Sequence, residues 1–395
     1  MAMNIEPKIA ASSAELTKIR RDIHAHPELG FEERRTADIV AGKLTEWGLE
    51  VHRGLGRTGV VGTLRRGNSH RAIGLRADMD CLPMQELNSF AHASTHSGKM
   101  HGCGHDGHTT MLLGAARYLA ETRNFEGAVH FIFQPAEEGG GGGRVMIEDG
   151  LFEKFPCDAV FALHNRPGIP VGRMAARPGP LLASSDRFDI RIRGRGTHAA
   201  HPHTGVDPFV IAAQITLALQ TIVSRNKDPI DTAVVSIGFM RGGSAYNVIP
   251  DEAVIGGTAR AFRPAVRDLI ERRIGEIARG TAATLGGNAE IAYARNYPPT
   301  VNHPDETAFA AAVAAEICGE DGVVRDYPPS MGSEDFSFLL ERRPGAMLWL
   351  GNGPGAEGCF LHNAKYDFND SAIPIGVSFF ARLAERFLAR DPRTA

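Results

Sequence analysis

AIGLRADMD, residues 72–80, is an apolar run that ends abruptly on two aspartates. By itself it reads as a short buried strand with charge at its carboxyl end. Two later stretches repeat the arrangement: AVHFIF runs into Gln134-Pro135 and then Glu137-Glu138, and AVFAL runs into His164. VVGTL supplies another candidate strand, and helical patterns at 14–24, 34–47 and 109–121 are interspersed, with Gly48 placed to stop the second. Strands alternating with helices build a mostly parallel sheet covered on both faces, and ligands bind in such sheets just beyond the carboxyl ends of the strands. Asp78, Asp80, Glu137, Glu138 and His164 are therefore expected along one edge.

From about Ser184 the pattern changes. RFDIRIRG alternates apolar and polar residues, and a helix, two strands, a helix and the strand AEIAYARN follow, with Asp207-Pro208 as N-cap and first turn of the first helix. That β-α-β-β-α-β order is ferredoxin-like and can stand as a compact domain. After YPPTVNHP the alternation resumes, with AMLWLG a buried strand and His362 soon after it. With 395 residues, more than one core is expected. The reading is an α/β catalytic, metal-binding domain of residues 1–183 and 298–395, its mostly parallel sheet covered by helices. An inserted ferredoxin-like α+β domain, 184–297, is expected as a lid or dimerisation domain with hinges near Ala183 and Tyr297.

Composition excludes several functions. Hydrophobic residues at 43% and charged residues at 23% suit a self-folding globular enzyme, and a net charge of -3 gives no general attraction to nucleic acid or an anionic membrane surface. The first thirty residues carry no apolar core behind a basic region, and no run of about 18 apolar residues is evident, so a cytoplasmic location is expected. Cys81, Cys103, Cys157, Cys318 and Cys359 are scattered without CxxC pairs, which argues against a disulfide framework and a closed zinc finger.

The chemistry gathers in MHGCGHDGHTTMLLGAARYLA, 100–120, where His101, Cys103, His105, Asp106 and His108 share one glycine-spaced loop opening into an apolar helix. Gly102 and Gly104 let the backbone bend so that Cys103 and His105 can face one centre. Two adjacent first-row metal ions suit such donors, since anionic ligands lessen the repulsion between dications. Glu137-Glu138 offers one carboxylate for a metal and a neighbour to accept a proton, and Glu137 is read as the general base. A Cys103 nucleophile paired with histidine is the competing reading. The glycine run 139–143 lacks the GK[ST] ending of a phosphate loop, and HExxH, GxSxG and the zinc-deaminase pattern are absent.

HPELGFEERRT, LRADMDCLP, HGCGHDGHTTMLLGAA, FIFQPAEEG, GRGTHAAHPHTGVDP, YNVIPDEAVIGGTAR, MGSEDFSF and LHNAKYDFND occur in this order along nearly the whole chain. Together they resemble the M20 metallopeptidase family, in its amidohydrolase branch of hippurate hydrolases and indole-acetyl-amino-acid hydrolases. The resemblance implies a dinuclear site made by Cys103, His105, Glu138, His164 and His362, with Glu137 as acid and base and Asp80 orienting a ligand. Asp78, Asp106 and His108 lie in the same motifs, with chemical and loop-shaping roles both open. His198 resembles a histidine that stabilises the oxyanion, often from a partner subunit, while His201 and His203 read as surface residues. Asn247 and Arg260 resemble residues that hold the substrate's end, Arg260 being equally readable as an ordinary salt-bridged arginine. Gly102 and Cys81 stand where the branch commonly has alanine, and neither change removes a donor.

The expected function is hydrolysis of the amide bond of N-acyl amino acids or related small amides, with two divalent ions per subunit (zinc or manganese, with cobalt or nickel also compatible), in a homodimer or higher oligomer. A dipeptidase or carboxypeptidase of the same superfamily is the second enzymatic reading. A non-catalytic binding protein stabilised by metal is the reading from another class.

Overall fold

A computed structural model describes residues 3–354 and 360–389, so Cys359 lies outside the described residues. The chain divides into two compact units, Met1–Gly179 with Val301–Pro328 and Asp335–Ala395, and Pro180–Thr300 with Pro329–Glu334.

The first unit is built on an eight-stranded sheet in the order Glu50–Leu55, Gly59–Arg66, Gly127–Gln134, Ala72–Asp78, Ala159–Arg166, Gly345–Gly351, Met174–Ala175, Val323–Val324. Its four central strands, from Gly127–Gln134 to Gly345–Gly351, run parallel, and the two strands before them are added antiparallel. Every residue of the Ala72–Asp78, Gly127–Gln134 and Gly345–Gly351 strands is buried, as expected of strands covered on both faces. Helix His105–Thr122 packs against the sheet and against helices Pro7–Ala25 and Ile373–Phe387, with Leu16, Met111, Leu112, Ala115, Val377 and Phe380 in one continuous core. Parallel strands put their carboxyl ends on one edge, where Asp78, Gln134 and His164-Asn165 lie.

Two elements differ from the sequence expectation. The Glu50–Leu55 strand is not signalled by its sequence, EVHRGL, because it is an edge strand with mostly exposed or half-buried positions. The helix expected from Thr109 begins at His105, since Gly104 sits in the left-handed region (φ 89°) and turns the loop straight into it.

The second unit carries a four-stranded antiparallel sheet in the order Ala233–Gly242, Glu252–Ala261, Ser185–Arg193, Asn288–Tyr297. Helices Pro208–Thr221 and Pro264–Thr284 connect the strands in β-α-β-β-α-β order, the ferredoxin-like arrangement. Burial alternates residue by residue along Ser185–Arg193, so one face is covered, and Phe188, Ile190, Ile192, Ile215, Ile255 and Ile274 form its core. Asp207 caps the first helix by accepting from Phe209 N at 2.8 Å. No uninterrupted run of about 18 apolar residues occurs, yet one helix interrupted by polar residues reaches the length and mean apolarity of a membrane span. Pro208–Asn226, 19 residues, meets that measure by length and composition. Its polar residues are spaced among Ala, Ile and Leu, and Ile211, Ala212, Ile215, Leu219 and Ile222 are buried in the unit's core.

Candidate metal centre

Five potential donors of the first unit converge at the sheet edge. Cys103 precedes the helix that His105 opens, Glu138 follows the Gly127–Gln134 strand, His164 ends the Ala159–Arg166 strand, and His362 lies beyond Gly351. Donor atoms of Cys103, His105 and His164 lie within 4.8 Å of one another, as do those of Cys103, Glu138 and His362, so two clusters share the sulfur. Glu137 joins His105 and Glu138 in a third cluster of the same span.

Hydrogen bonds fix which atom each ring presents. His105 Nδ1 donates to the Asp80 carbonyl at 2.9 Å with Asp80 Oδ1 3.3 Å away, leaving the Nε2 lone pair facing the cluster. His164 Nδ1 donates to the Asn165 carbonyl at 2.8 Å, leaving Nε2 3.5 Å from Cys103 Sγ. Donors around one tetrahedral ion stand about 3.5 Å apart. His362 Nε2 is 3.1 Å from Glu138 Oε1, and its backbone N–H donates to Gly102 O at 2.8 Å, which ties the two ligand loops together. Among the described residues His105 Nε2 is buried without a hydrogen-bond partner, and Glu138 Oε1 is buried with His362 Nε2 beside it.

The electrostatics tell the same story. Burial disfavours charge on His105, yet Asp78 and Cys103 outweigh it and hold its pKa well above the ordinary value. Hydrogen bonds to Cys103 and Glu138 push His362 up to about 10. Burial, and then the Glu138 charge, push the Cys103 thiol up, while burial and the neighbouring His108 push His164 well down. The cluster is short of positive charge and draws in protons where it can. A cation meets that shortage and displaces them. An unpartnered lone pair, mixed sulfur, imidazole and carboxylate donors, and this deficit together fit divalent metal ions.

The remaining motif residues sort by their contacts. Asp80, 1% exposed, accepts from Glu137 N at 3.0 Å through Oδ1 and from Glu138 N at 2.9 Å through Oδ2, so one carboxylate orients His105 and both glutamates. His108 has no lone pair left: Nδ1 bonds Asp78 Oδ1 at 2.6 Å and Nε2 accepts from Asn165 N and Nδ2, each at 3.0 Å. Asp78 also accepts from Arg76 at 2.7 Å, and Asp106 from His24 at 2.8 Å and Arg20 at 3.3 Å, so all three shape the loop. His101 is buried with no hydrogen-bond partner for either ring nitrogen among the described residues.

In the second unit, exposed His198 stands on a two-residue strand paired with Val248–Ile249, and its Nδ1 accepts from Ala200 N at 3.0 Å. Exposed Asn247 accepts from Ala199 N through its carbonyl at 2.9 Å. Arg260, half-buried on the Glu252–Ala261 strand, makes no salt bridge among the described residues, and burial lowers its pKa. His201 and His203 are exposed.

Sequence reading passed over two supports of the site. Asn165 donates to Cys103 O at 2.6 Å and accepts from the Tyr366 hydroxyl at 2.6 Å, and Asp335 offers its N–H to Glu137 Oε1 at 3.4 Å while its carboxylate holds Arg76, Gln134 and Gly143 N. A polar residue directly after a strand-end histidine was the available signal for Asn165, and MGSEDFSF for Asp335.

An α/β fold with a metal-binding sheet edge and a ferredoxin-like second unit defines a class of metal-dependent hydrolases. Residues 74–386 match the model of peptidase family M20/M25/M40, and the chain belongs to that family, in its amidohydrolase branch. It is a metal-dependent hydrolase of amide bonds. It is 46% identical to the hippurate hydrolase of Campylobacter jejuni subsp. jejuni, covering 98% of this chain and 100% of that protein. It is 40% identical to IAA-amino acid hydrolase ILR1-like 4 of Arabidopsis thaliana, covering 94% and 85%. The crystal structure of Bacillus subtilis YXEP protein, described as a dinuclear metal binding peptidase from the M20 family, superposes with a TM-score of 0.84 at 34% identity, covering 96% and 99%.

Proposed function

We propose that the chain hydrolyses N-acyl amino acids, releasing a carboxylic acid and an amino acid, with Cys103, His105, Glu138, His164 and His362 holding two divalent cations. The observation that carries this reading is the convergence of those five donors beside Glu137, with His105 Nε2 buried and unpartnered among the described residues. The names hippurate hydrolase and IAA-amino acid hydrolase support the substrate class, and the dinuclear relative supports the pair of ions. Thiolate, imidazole and carboxylate suit zinc or manganese first, with cobalt or nickel also accommodated.

Bound dications lower the pKa of water to about 7 and polarise a carbonyl. Glu137, held by Asp335 N–H and by the Asp80 clamp on its backbone, takes the proton of the attacking water and passes it to the leaving nitrogen. Asp80 fixes the His105 ring and the glutamate backbone during that transfer. In the second unit, the Arg260 guanidinium, which makes no salt bridge among the described residues, suits a carboxylate, with Asn247 sharing that role. His198 donates to the developing oxyanion from the partner subunit of a homodimer. Residues 184–297 serve as a dimer contact, a role supported by exposed Phe239 and Met240 on the edge strand Ala233–Gly242 and by exposed Val210 and Leu217. Buried, unpaired Cys81, Cys103, Cys157 and Cys318 suit the reducing cytoplasm.

A panel of N-acetyl and N-benzoyl amino acids and dipeptides, assayed with Glu137→Gln, tests the proposal. The expected outcome is preference for N-acyl amino acids, and a variant that keeps its metal while kcat falls by about 10²–10⁴. Preference for dipeptides points instead to the dipeptidase reading, and undiminished turnover by the variant overturns Glu137 as the base.

A further inference from the structure

Three consecutive amides lead into the glutamate pair, and two buried carboxylates take all three. Ala136 N donates to Glu33 Oε1 at 2.8 Å, while Glu137 N and Glu138 N donate to the two oxygens of Asp80. In extended chain successive N–H groups point to opposite sides, so no single carboxylate could receive both of the last two. Here both reach Asp80, and the residue that leads into the pair, Ala136, lies in the left-handed region at φ 52°, which sets how its own N–H turns to Glu33 while that of Glu137 turns to Asp80. Alanine enters that region at a cost of about 1–2 kcal/mol relative to the right-handed one. Something must hold it there: Glu33 takes its N–H, and Gly142 N donates to its carbonyl at 3.1 Å.

Glu33 is itself rigid. It is 0% exposed, and its second oxygen accepts from the Thr58 hydroxyl at 2.6 Å. Space is closed around Ala136: a Cβ on Gly30 would stand 2.9 Å from the Ala136 Cβ, and one on Gly140 would stand 2.7 Å from it. Burial, and then the nearby charge of Asp80, push the Glu33 carboxyl up to about 7. The chain thus keeps two carboxylates close together, an arrangement that packing alone does not call for.

We infer that Glu33, by holding Ala136 N–H and with it the left-handed turn, is a positioning residue that aims Glu137 at the reacting water and Glu138 at its cation. The inference rests on the reading of Glu137 as base and Glu138 as ligand. Glycine adopts positive φ without help, which gives a specific test. Steady-state kinetics on an N-acyl amino acid and metal content are measured for Glu33→Ala, Glu33→Gln, Glu137→Gln and the double variant Glu33→Ala/Ala136→Gly. Glu33→Ala is expected to lower kcat about 10–100-fold, as misplacement of a reacting group by about 1 Å does, with KM within about threefold. Glu33→Gln keeps an acceptor for Ala136 N–H and a donor for the Thr58 oxygen, and is expected to stay within about fivefold of the parent. Ala136→Gly in the Glu33→Ala background is expected to recover about tenfold in kcat, a rescue that loss of packing alone would not give. Undiminished kcat in Glu33→Ala, or a folded Glu33→Ala that Ala136→Gly leaves unrescued, overturns the inference. Where Glu33→Ala does not fold, Glu33→Asp, too short by one methylene to reach Ala136, takes its place with the same expectations. An inactive Glu137→Gln beside an active Glu33→Ala sinks this inference alone; an active Glu137→Gln sinks the base assignment and the inference with it.

Discussion

Gly104 shows how narrowly single residues set the site. Its φ of 89° starts the helix that carries His105, and a Cβ there would stand 2.3 Å from Asn165 Nδ2 and 2.6 Å from the Tyr366 hydroxyl. Gly104→Ala therefore strains the backbone and wedges apart the groups that hold Cys103 O. It is expected to destabilise the protein by about 2 kcal/mol or more and to weaken metal retention, read by thermal unfolding and elemental analysis. Unchanged melting and metal content would contradict this. At this scale the candidate donors were legible because sulfur, imidazole and carboxylate announce their chemistry wherever they stand. Their supports were not. Asn165 is an ordinary polar residue until the fold brings it to Cys103, 62 positions away. His108 and His105 present the same imidazole in the same motif, and only their partners separate a ring with a free lone pair from one with both nitrogens occupied.

Among elements, helix Pro7–Ala25 is bolted to the metal loop and to the loop after His362 by charges that sequence periodicity does not reveal. Fully buried Arg20 bonds Asp106 at 3.3 Å, Asp367 at 2.8 Å and Asp370 at 2.7 Å. Arg20→Met removes the buried cation those carboxylates share, leaving Asp106 to His24 and Asp370 to Arg21, and is expected to cost about 3–5 kcal/mol by denaturant unfolding. A loss below about 1 kcal/mol would show the pairs to be dispensable. Next to it, burial opposes charge on His24, but Asp106 and Glu86 prevail and raise its pKa to about 9 from an ordinary 6.5. A raised folded-state pKa stabilises fully below the unfolded value and is lost as pH climbs through the folded one. Unfolding free energy is thus expected to fall between about pH 6.5 and 9 by an amount on the order of 3 kcal/mol, a fall that His24→Phe removes. A parallel pH profile in the variant would refute the assignment. Strands were the legible elements, since AIGLRA, AVHFIF and AVFAL are buried on both faces and carry their signal in every residue. The edge strand Glu50–Leu55 and the early start of the His105–Thr122 helix were not, because each depends on what lies beside it.

For the whole molecule, the change of pattern near Ser184 was readable because a one-sided sheet alternates, and Ser185–Arg193 buries every second residue while Ala72–Asp78 and Gly127–Gln134 of the other sheet bury all of theirs. Apolarity of the Pro208–Asn226 helix was underestimated, as polar residues spaced along its outer face break every uninterrupted run. The proposed hydrolysis depends on donors from separate elements of one unit holding a pair of cations. Elemental analysis of the purified chain and of Cys103→Ala, with N-benzoylglycine hydrolysis followed before and after chelation, tests it most directly. About two divalent ions per chain are expected, with fewer than one in the variant and activity lost to chelator and restored by added metal. Full hydrolysis by metal-free protein, or undiminished metal content in Cys103→Ala, would contradict it.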